Sequence, residues 1–246
     1  MDIEKRAKKI VLDLYEHGMI KTWYRHKSEG WILTSGLWSP LYIQLRTLCS
    51  YPSVLKEIGE AMSILVQKTV PDATRIVGIA MAGIPIAVAT SLTSGLPSTF
   101  TRKSDVGNLS RNGKQYGEHS TLEGELLDND IIVLMDDVVT KLDTKLQALA
   151  QVEHEIEERG LKNVRCSHVA VVIDREQGAT LAAKTAKIHL HSLIKFRTEA
   201  LDFLSSRMAP IESQVISDYL LDPGKYQDLC VRKELTRQTH GGEYVP

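Results

Sequence analysis

Two neighbouring carboxylates, Asp136 and Asp137, close an unbroken apolar run, Ile131-Ile132-Val133-Leu134-Met135. Ionised aspartates offer only acceptor oxygens, so such a pair can hold the hydroxyls of a sugar or a metal ion. It can equally be a solvated turn at a strand end. A second candidate is Arg175, inside Asp174-Arg175-Glu176-Gln177-Gly178, which follows the strand-like stretch 164–173. A guanidinium presents a planar fork that suits a carboxylate or a carbonyl pair. A third is the polar stretch 104–121, with Arg102 and Lys103 at its start and Gly107, Gly113 and Gly117 inside it. A segment that long without periodicity is usually functional or disordered. His189 and His191 alternate with leucine and share one strand face. That spacing could ligate a metal, but with no third ligand in view a non-ligand role is the better expectation.

The elements that must position these residues follow from periodicity. Five consecutive apolar residues ended by acids predict a strand buried on both faces, as in a parallel sheet, whose chemistry sits beyond the carboxyl ends of its strands. Leu142, Leu146, Leu149, Val152 and Ile156 predict a helix ending near Gly160. Thr140 to Asp143 reads as its capping box, with Thr140 as the cap and Asp143 near the third position. Upstream come an amphipathic helix over 2–18, a hairpin over 30–46, a helix from Pro52 to about Lys68 and a buried strand over 75–80. A Gly83 turn then leads into an apolar helix to Ser94, and a short strand follows over 97–101. Downstream come strands at 164–173 and 188–193, closing helices at 197–206 and 211–220, and a polar end whose last residues, 239–246, form a loose tail. Strands alternating with helices predict an α/β fold.

Composition narrows the class. The chain has 246 residues, 43% hydrophobic and 25% charged, with a net charge of -1. That balance fits a globular domain and argues against general nucleic-acid binding. No apolar run reaches the ~18 residues that span a bilayer, and the first residues do not read as a signal peptide. Cys49, Cys166 and Cys230 are odd in number and far apart, as expected of reduced thiols in a cytoplasmic protein.

The strand, the acid pair, Val138-Val139-Thr140 and the helix after them resemble the phosphoribosyl-pyrophosphate (PRPP) motif of type I phosphoribosyltransferases. Four more stretches resemble the orotate phosphoribosyltransferases, in that family's order. They are the 30–46 hairpin with its Ser-Gly turn and Ser39-Pro40, the Gly83–Pro85 turn, Arg102-Lys103 with Lys114-Gln115-Tyr116-Gly117, and Asp174–Gly178. The likeness covers roughly residues 10–205. It implies a twisted, largely parallel sheet flanked by helices, with a small N-terminal hood of about 1–50. The transferase domain would be 1–206, followed by a C-terminal helix and tail over 207–246.

The same resemblance implies transfer of phosphoribose from PRPP to orotate, giving orotidine 5′-phosphate and pyrophosphate. Asp136 and Asp137 would hold the ribose hydroxyls, and Thr140 and Thr144 would line the phosphate loop. Arg102, Lys103, Lys114 and Tyr116 would contact PRPP, with Lys114 reaching the transition state. Tyr42, Ile43, Thr140 and Arg175 would orient orotate. Mg²⁺ would be bound mainly through the pyrophosphate, with no dedicated protein ligand. A homodimer is implied, the 102–124 loop acting across its interface, with no nucleic acid or membrane as partner. The chain departs from the family at Leu142 and Asp143, where glycines are usual, and at Thr34 and Ala82, where lysine occurs. Such changes would also suit an alternative, a non-catalytic effector-binding relative. If Leu142 occupies a loop that needs glycine angles, PRPP binding is expected to be weakened.

Overall fold

The computed structural model describes residues 2–33, 35–102 and 121–239. It begins with helix α1 (Ile3–Glu16), which buries Ala7, Ile10, Val11 and Leu14 and stops at Gly18, whose φ of +66° favours glycine. The hood follows as four short strands, β1 (Ile20–Thr22), β2 (Trp31–Ile32), β3 (Trp38–Ser39) and β4 (Leu41–Ile43). As the turn chemistry predicts, β2 and β3 form an antiparallel hairpin; β4 returns to pair with β1, setting Tyr42 opposite Lys21. Helix α2 (Pro52–Thr69) carries its proline in the first turn, where the missing N–H costs nothing.

The remainder alternates strand and helix: β5 (Arg75–Gly78), α3 (Gly83–Ser94), β6 (Ser98–Thr101), β7 (Leu122–Glu123), β8 (Ile131–Val139), α4 (Asp143–Glu158), β9 (Arg165–Asp174), α5 (Ala179–Thr185) and β10 (His189–Lys195). Six of these strands form one sheet in the order β10-β9-β8-β5-β6-β7, parallel throughout except for β7. The α/β expectation holds. Alternate residues of β8 serve different cores. Val133 and Met135 pack with α1, α2 and α3, while Ile132 and Leu134 pack with α4 and α5. That is why the run is apolar without alternation.

After β10 the chain makes a wide helical turn, a short helix α6 (Leu201–Phe203), and then α7 (Pro210–Leu221) and α8 (Leu229–Thr239). Helix α7 sinks Val215, Ile216, Tyr219 and Leu220 into the same core as α1. Its Glu212 is fully buried and reaches the hood, accepting hydrogen bonds from Thr22 Oγ1, from Arg25 Nε at 3.0 Å and from Tyr15 at 3.4 Å. Helix α8 was not expected from the sequence. Only a thin apolar stripe supports it, with Leu235 buried. Residues 240–246, expected as a loose tail, lie outside the described residues.

Candidate active site

Because the strands are parallel, the turns after β5, β6, β8 and β9 open on one edge of the sheet. After β5, the N–H of Gly83 closes on Ile79 O at 3.0 Å. A side chain at Gly83 would collide with Met135 O and lie 3.2 Å from Asp136 Oδ1. Glycine is thus required for α3 to approach the acid end of β8. The Ala80–Met81 peptide here is cis.

At the end of β8, Asp136 is 7% exposed. Its Oδ1 accepts the N–H of Asp137 at 2.9 Å, and its Oδ2 pairs with Lys145 Nζ at 2.8 Å. Asp137 Oδ1 accepts the N–H of Val138 at 2.7 Å. Burial, and next the Asp136 charge, push the Asp137 carboxyl up to about 7, against the pull of Lys145. Adjacent acids that share a buried site resist being ionised together, which marks functional sites more often than structural ones.

The helix start differs from the predicted capping box. Leu142, not Thr140, is the residue before the first helical position, and Asp143 opens α4. The reason is burial: Leu142 is 1% exposed and packs in the α4–α5 core, drawing the chain inward before the helix begins. Leu142 adopts φ −89° and ψ −6°, and no residue from 140 to 145 has positive φ. The expected strain at Leu142 is absent, since its own angles are ones any residue adopts and no residue of the loop needs the left-handed region. Among the described residues, no acceptor lies against the N–H groups of residues 141–144. These orphan donors and the helix dipole make this end attractive to an anion. Thr140 is half-buried, its hydroxyl without a partner among the described residues; Asp143 is exposed, and exposed Thr144 accepts from Lys145 at 3.3 Å.

Arg175 follows β9, its N–H donating to Val139 O at 2.9 Å, which ties it to the strand that carries the acids. It is 6% exposed, and among the described residues Nε and Nη2 have no partner. Burial lowers its pKa, opposed by a hydrogen bond to Tyr219 of α7. Gln177 Oε1 is also buried, with no partner among the described residues. Unpaired buried donors on a cation are costly unless a ligand completes them.

The other expected residues lie less close together. Arg102 follows β6 and pairs with Glu123 at 3.3 Å. Tyr42 stacks on Trp31 at 5.8 Å within the hood. No hydrogen bond joins Tyr42 or Ile43 to Asp136, Asp137 or Arg175 among the described residues. Lys103, Lys114, Tyr116 and Thr34 lie outside the described residues.

Sequence reasoning missed Lys145 and Tyr219. Lys145 carried a signal, a cation in the first turn of a helix where acids are preferred. His168 was missed as well. Parallel pairing of β9 with β10 sets it opposite His189, and its Nδ1 lies 3.1 Å from His191 Nε2. The described residues nevertheless contain no cluster of three or more groups arranged to hold a metal. Burial pushes the His191 pKa to about 4, with His168 and His189 adding to the shift, in accord with a neutral packing role.

Solved structures share this architecture. UMP synthase from Leishmania donovani superposes with a TM-score of 0.70 at 21% identity, over 87% of this chain and 42% of that one. Orotate phosphoribosyltransferase from Aeropyrum pernix superposes at 0.64 with 18% identity, over 81% of this chain and 99% of that one. The fold is that of the type I phosphoribosyltransferases. No family model matches the sequence. An orotate phosphoribosyltransferase from Thermococcus gammatolerans, however, is 34% identical over 148 residues, or 60% of this chain and 70% of the relative. The chain belongs to the orotate phosphoribosyltransferase family.

Proposed function

We propose that this protein transfers the phosphoribosyl group of PRPP to orotate, releasing pyrophosphate and forming orotidine 5′-phosphate. The observation that carries it is the acid pair at the end of β8, bound through Val139 O to a buried Arg175 with two unpartnered nitrogens. The ribose C1–O bond breaks ahead of attack by the base nitrogen, so positive charge develops on the ring. Asp136 and Asp137 hold the ribose hydroxyls and set negative charge beside that ring. The free N–H groups at the start of α4, with Thr140 and Thr144, receive the 5-phosphate. Arg175 donates from its fork to orotate, and the Tyr42–Ile43 strand covers the base. Arg102, Lys103, Lys114 and Tyr116 draw off the pyrophosphate. Excluding water protects the cationic ring, and holding both substrates replaces a strong base.

Mg²⁺ suits this donor set as a partner of the substrate rather than of the protein. Both Asp136 oxygens are engaged, by the Asp137 N–H and by Lys145, and Asp137 Oδ1 takes the Val138 N–H. When bound, the ion would neutralise charge on the departing pyrophosphate. A homodimer is supported by α3, which contains no charged residue and exposes Val88 and Leu92 beside exposed Met81. No helix among the described residues is long and apolar enough to cross a membrane. The free cysteines agree with a cytoplasmic location. Loss of orotate absorbance with PRPP and Mg²⁺ tests the reading. PRPP binding without orotate consumption would favour the effector-binding alternative instead.

A further inference from the structure

The first turn of a helix is the least favourable place on it for a cation, because unsatisfied N–H groups and the macrodipole already put positive charge there. Lys145 is the third residue of α4 and only 4% exposed. Its ammonium is therefore both buried and set against the helix end. Three acceptors surround it: Asp136 Oδ2 at 2.8 Å, Val138 O at 2.7 Å and Thr144 Oγ1 at 3.3 Å. An ammonium has three N–H bonds, so none remains for a substrate. Whatever Lys145 does for the reaction it does through those partners.

Asp136 is gripped at two points, by the Asp137 N–H and by Lys145. One grip comes from the strand and the other from the helix, so the carboxylate cannot rotate freely. Asp137 stands beside it with a single backbone donor at 2.7 Å. Two adjacent carboxylates in a buried site repel, and a cation bonded to one of them lowers the barrier to ionising both. Val138 O, the third anchor, lies on the segment that leads into the orphan N–H groups of 141–144. A single side chain thus fixes the acid pair relative to the anion-attracting helix start.

We propose that Lys145 is a positioning residue of the transfer site: from the first turn of α4 it locks the Asp136 carboxylate at the end of β8 and supplies the charge that lets Asp136 and Asp137 stand ionised together for the ribose. This rests on the ribose role given to the acids above. A lysine that merely fastened helix to strand would serve stability and leave the pH dependence of turnover unmoved.

The test uses two readouts on full-length protein. Carbon-13 labelling of aspartate follows the carboxyl titrations by NMR without substrate, with Asp136→Asn and Asp137→Asn assigning the signals. The second readout is kcat and KM for PRPP and for orotate from pH 5.5 to 9. In Lys145→Met the Asp137 transition, near 7 in the native chain, should move up by about one unit or more. The acid limb of kcat/KM for PRPP should move with it, while KM for orotate changes less than about twofold. Lys145→Arg should restore both. Should Lys145→Met not fold, Lys145→Gln keeps a hydrogen-bond donor without the charge and carries the same expectations. An unmoved carboxyl transition in a folded variant would overturn the proposal. So would a moved transition with an unmoved acid limb. If the native chain consumes no orotate, the transfer reading fails separately. The kinetic arm is then replaced by calorimetric PRPP affinity across the same pH range, judged by the same shift.

Discussion

At its amino end β8 follows Asp130, and at its carboxyl end it carries Asp136 and Asp137; all three acids sit against the sheet, yet their surroundings differ in kind. Asp130 is 5% exposed and fully engaged. Its Oδ1 accepts from Thr74 Oγ1 at 2.7 Å, and its Oδ2 accepts from Arg75 Nε at 2.5 Å and from the Leu127 N–H at 2.8 Å. Burial alone would raise its pKa, but the Leu127 N–H, Arg75 and Thr74 together hold it below the usual carboxylate value. Asp137 has one backbone donor and a like-charged neighbour, and is pushed up instead. One strand thus ends in a satisfied ion pair below and an under-satisfied acid pair above. The first stabilises the sheet. On the function proposed above, the second keeps its capacity for the ribose, and native folds place that kind of local conflict at working sites.

The contrast can be broken most directly by removing the acids at the carboxyl end. Asp136→Asn with Asp137→Asn should lower kcat by on the order of 10³ or more while leaving the fold intact. Turnover near that of the native chain, in a protein with unchanged circular dichroism, would defeat the assignment. At the other end, Asp130→Asn leaves Arg75 buried without its counterion. That should destabilise by about 3–5 kcal/mol, read as a denaturant midpoint, with little change in kcat for the protein that stays folded. A change below about 1 kcal/mol would mean the two ends are not so different.

The two ends should also titrate in opposite directions. Asp130 has a depressed pKa, so its stabilisation is present above the unfolded carboxylate value and is lost as pH falls through the folded one. Asp137 has a raised pKa, so the native state holds an extra proton between the ordinary carboxylate value of 3.8 and about 7. Its contribution is greatest below 3.8 and is lost as pH rises through about 7. Asp137→Asn should therefore stabilise the protein by on the order of 2 kcal/mol at pH 8 and by nothing measurable near pH 4. Urea titrations at those two pH values would show it; an equal effect at both would mean the raised proton affinity is not what Asp137 contributes. The smallest expected effect sharpens the same contrast. Asp143, exposed at the start of α4, adds negative charge where a phosphate is proposed to bind. Asp143→Asn should tighten PRPP binding by about tenfold, roughly 1.4 kcal/mol, in calorimetric titration. No change would argue that the phosphate is held elsewhere.

Much of the scaffold was legible because its signals are local. The run 131–135 reads as a strand covered on both faces, and β8 is one. The Ser-Gly turn made the hairpin of β2 and β3 readable, but not that its expected continuation, β4, would pair with β1 instead. What escaped was set by contacts between distant parts of the chain. Thr140 looked like a cap, but the cap position shifted to Leu142 because a leucine entering the core outweighs one side-chain hydrogen bond. His168 and His191 are 23 residues apart, and only the register of β9 against β10 makes them neighbours. Lys145 was hidden for a related reason. The motif around Asp136 draws the eye to its acids and its loop, while the partner arrives from a helix that folds back on the strand. Arg175 was found by type and place, but its unpartnered nitrogens are visible only once α7 covers it.

The buried Glu212 has a consequence for the order of events during synthesis. Its partners Arg25, Thr22 and Tyr15 precede it by 187, 190 and 197 residues. A chain leaving the ribosome at ~5–20 residues per second completes its last sheet strand before this acid appears. The N-terminal segment, although made first, cannot finish closing until nearly everything else is in place. Contacts so remote in sequence form slowly, because loop closure comes before its reward. The hood is therefore among the last parts of the molecule to close and depends on the final third of the chain. A nascent protein has its acids in position before it has a roof.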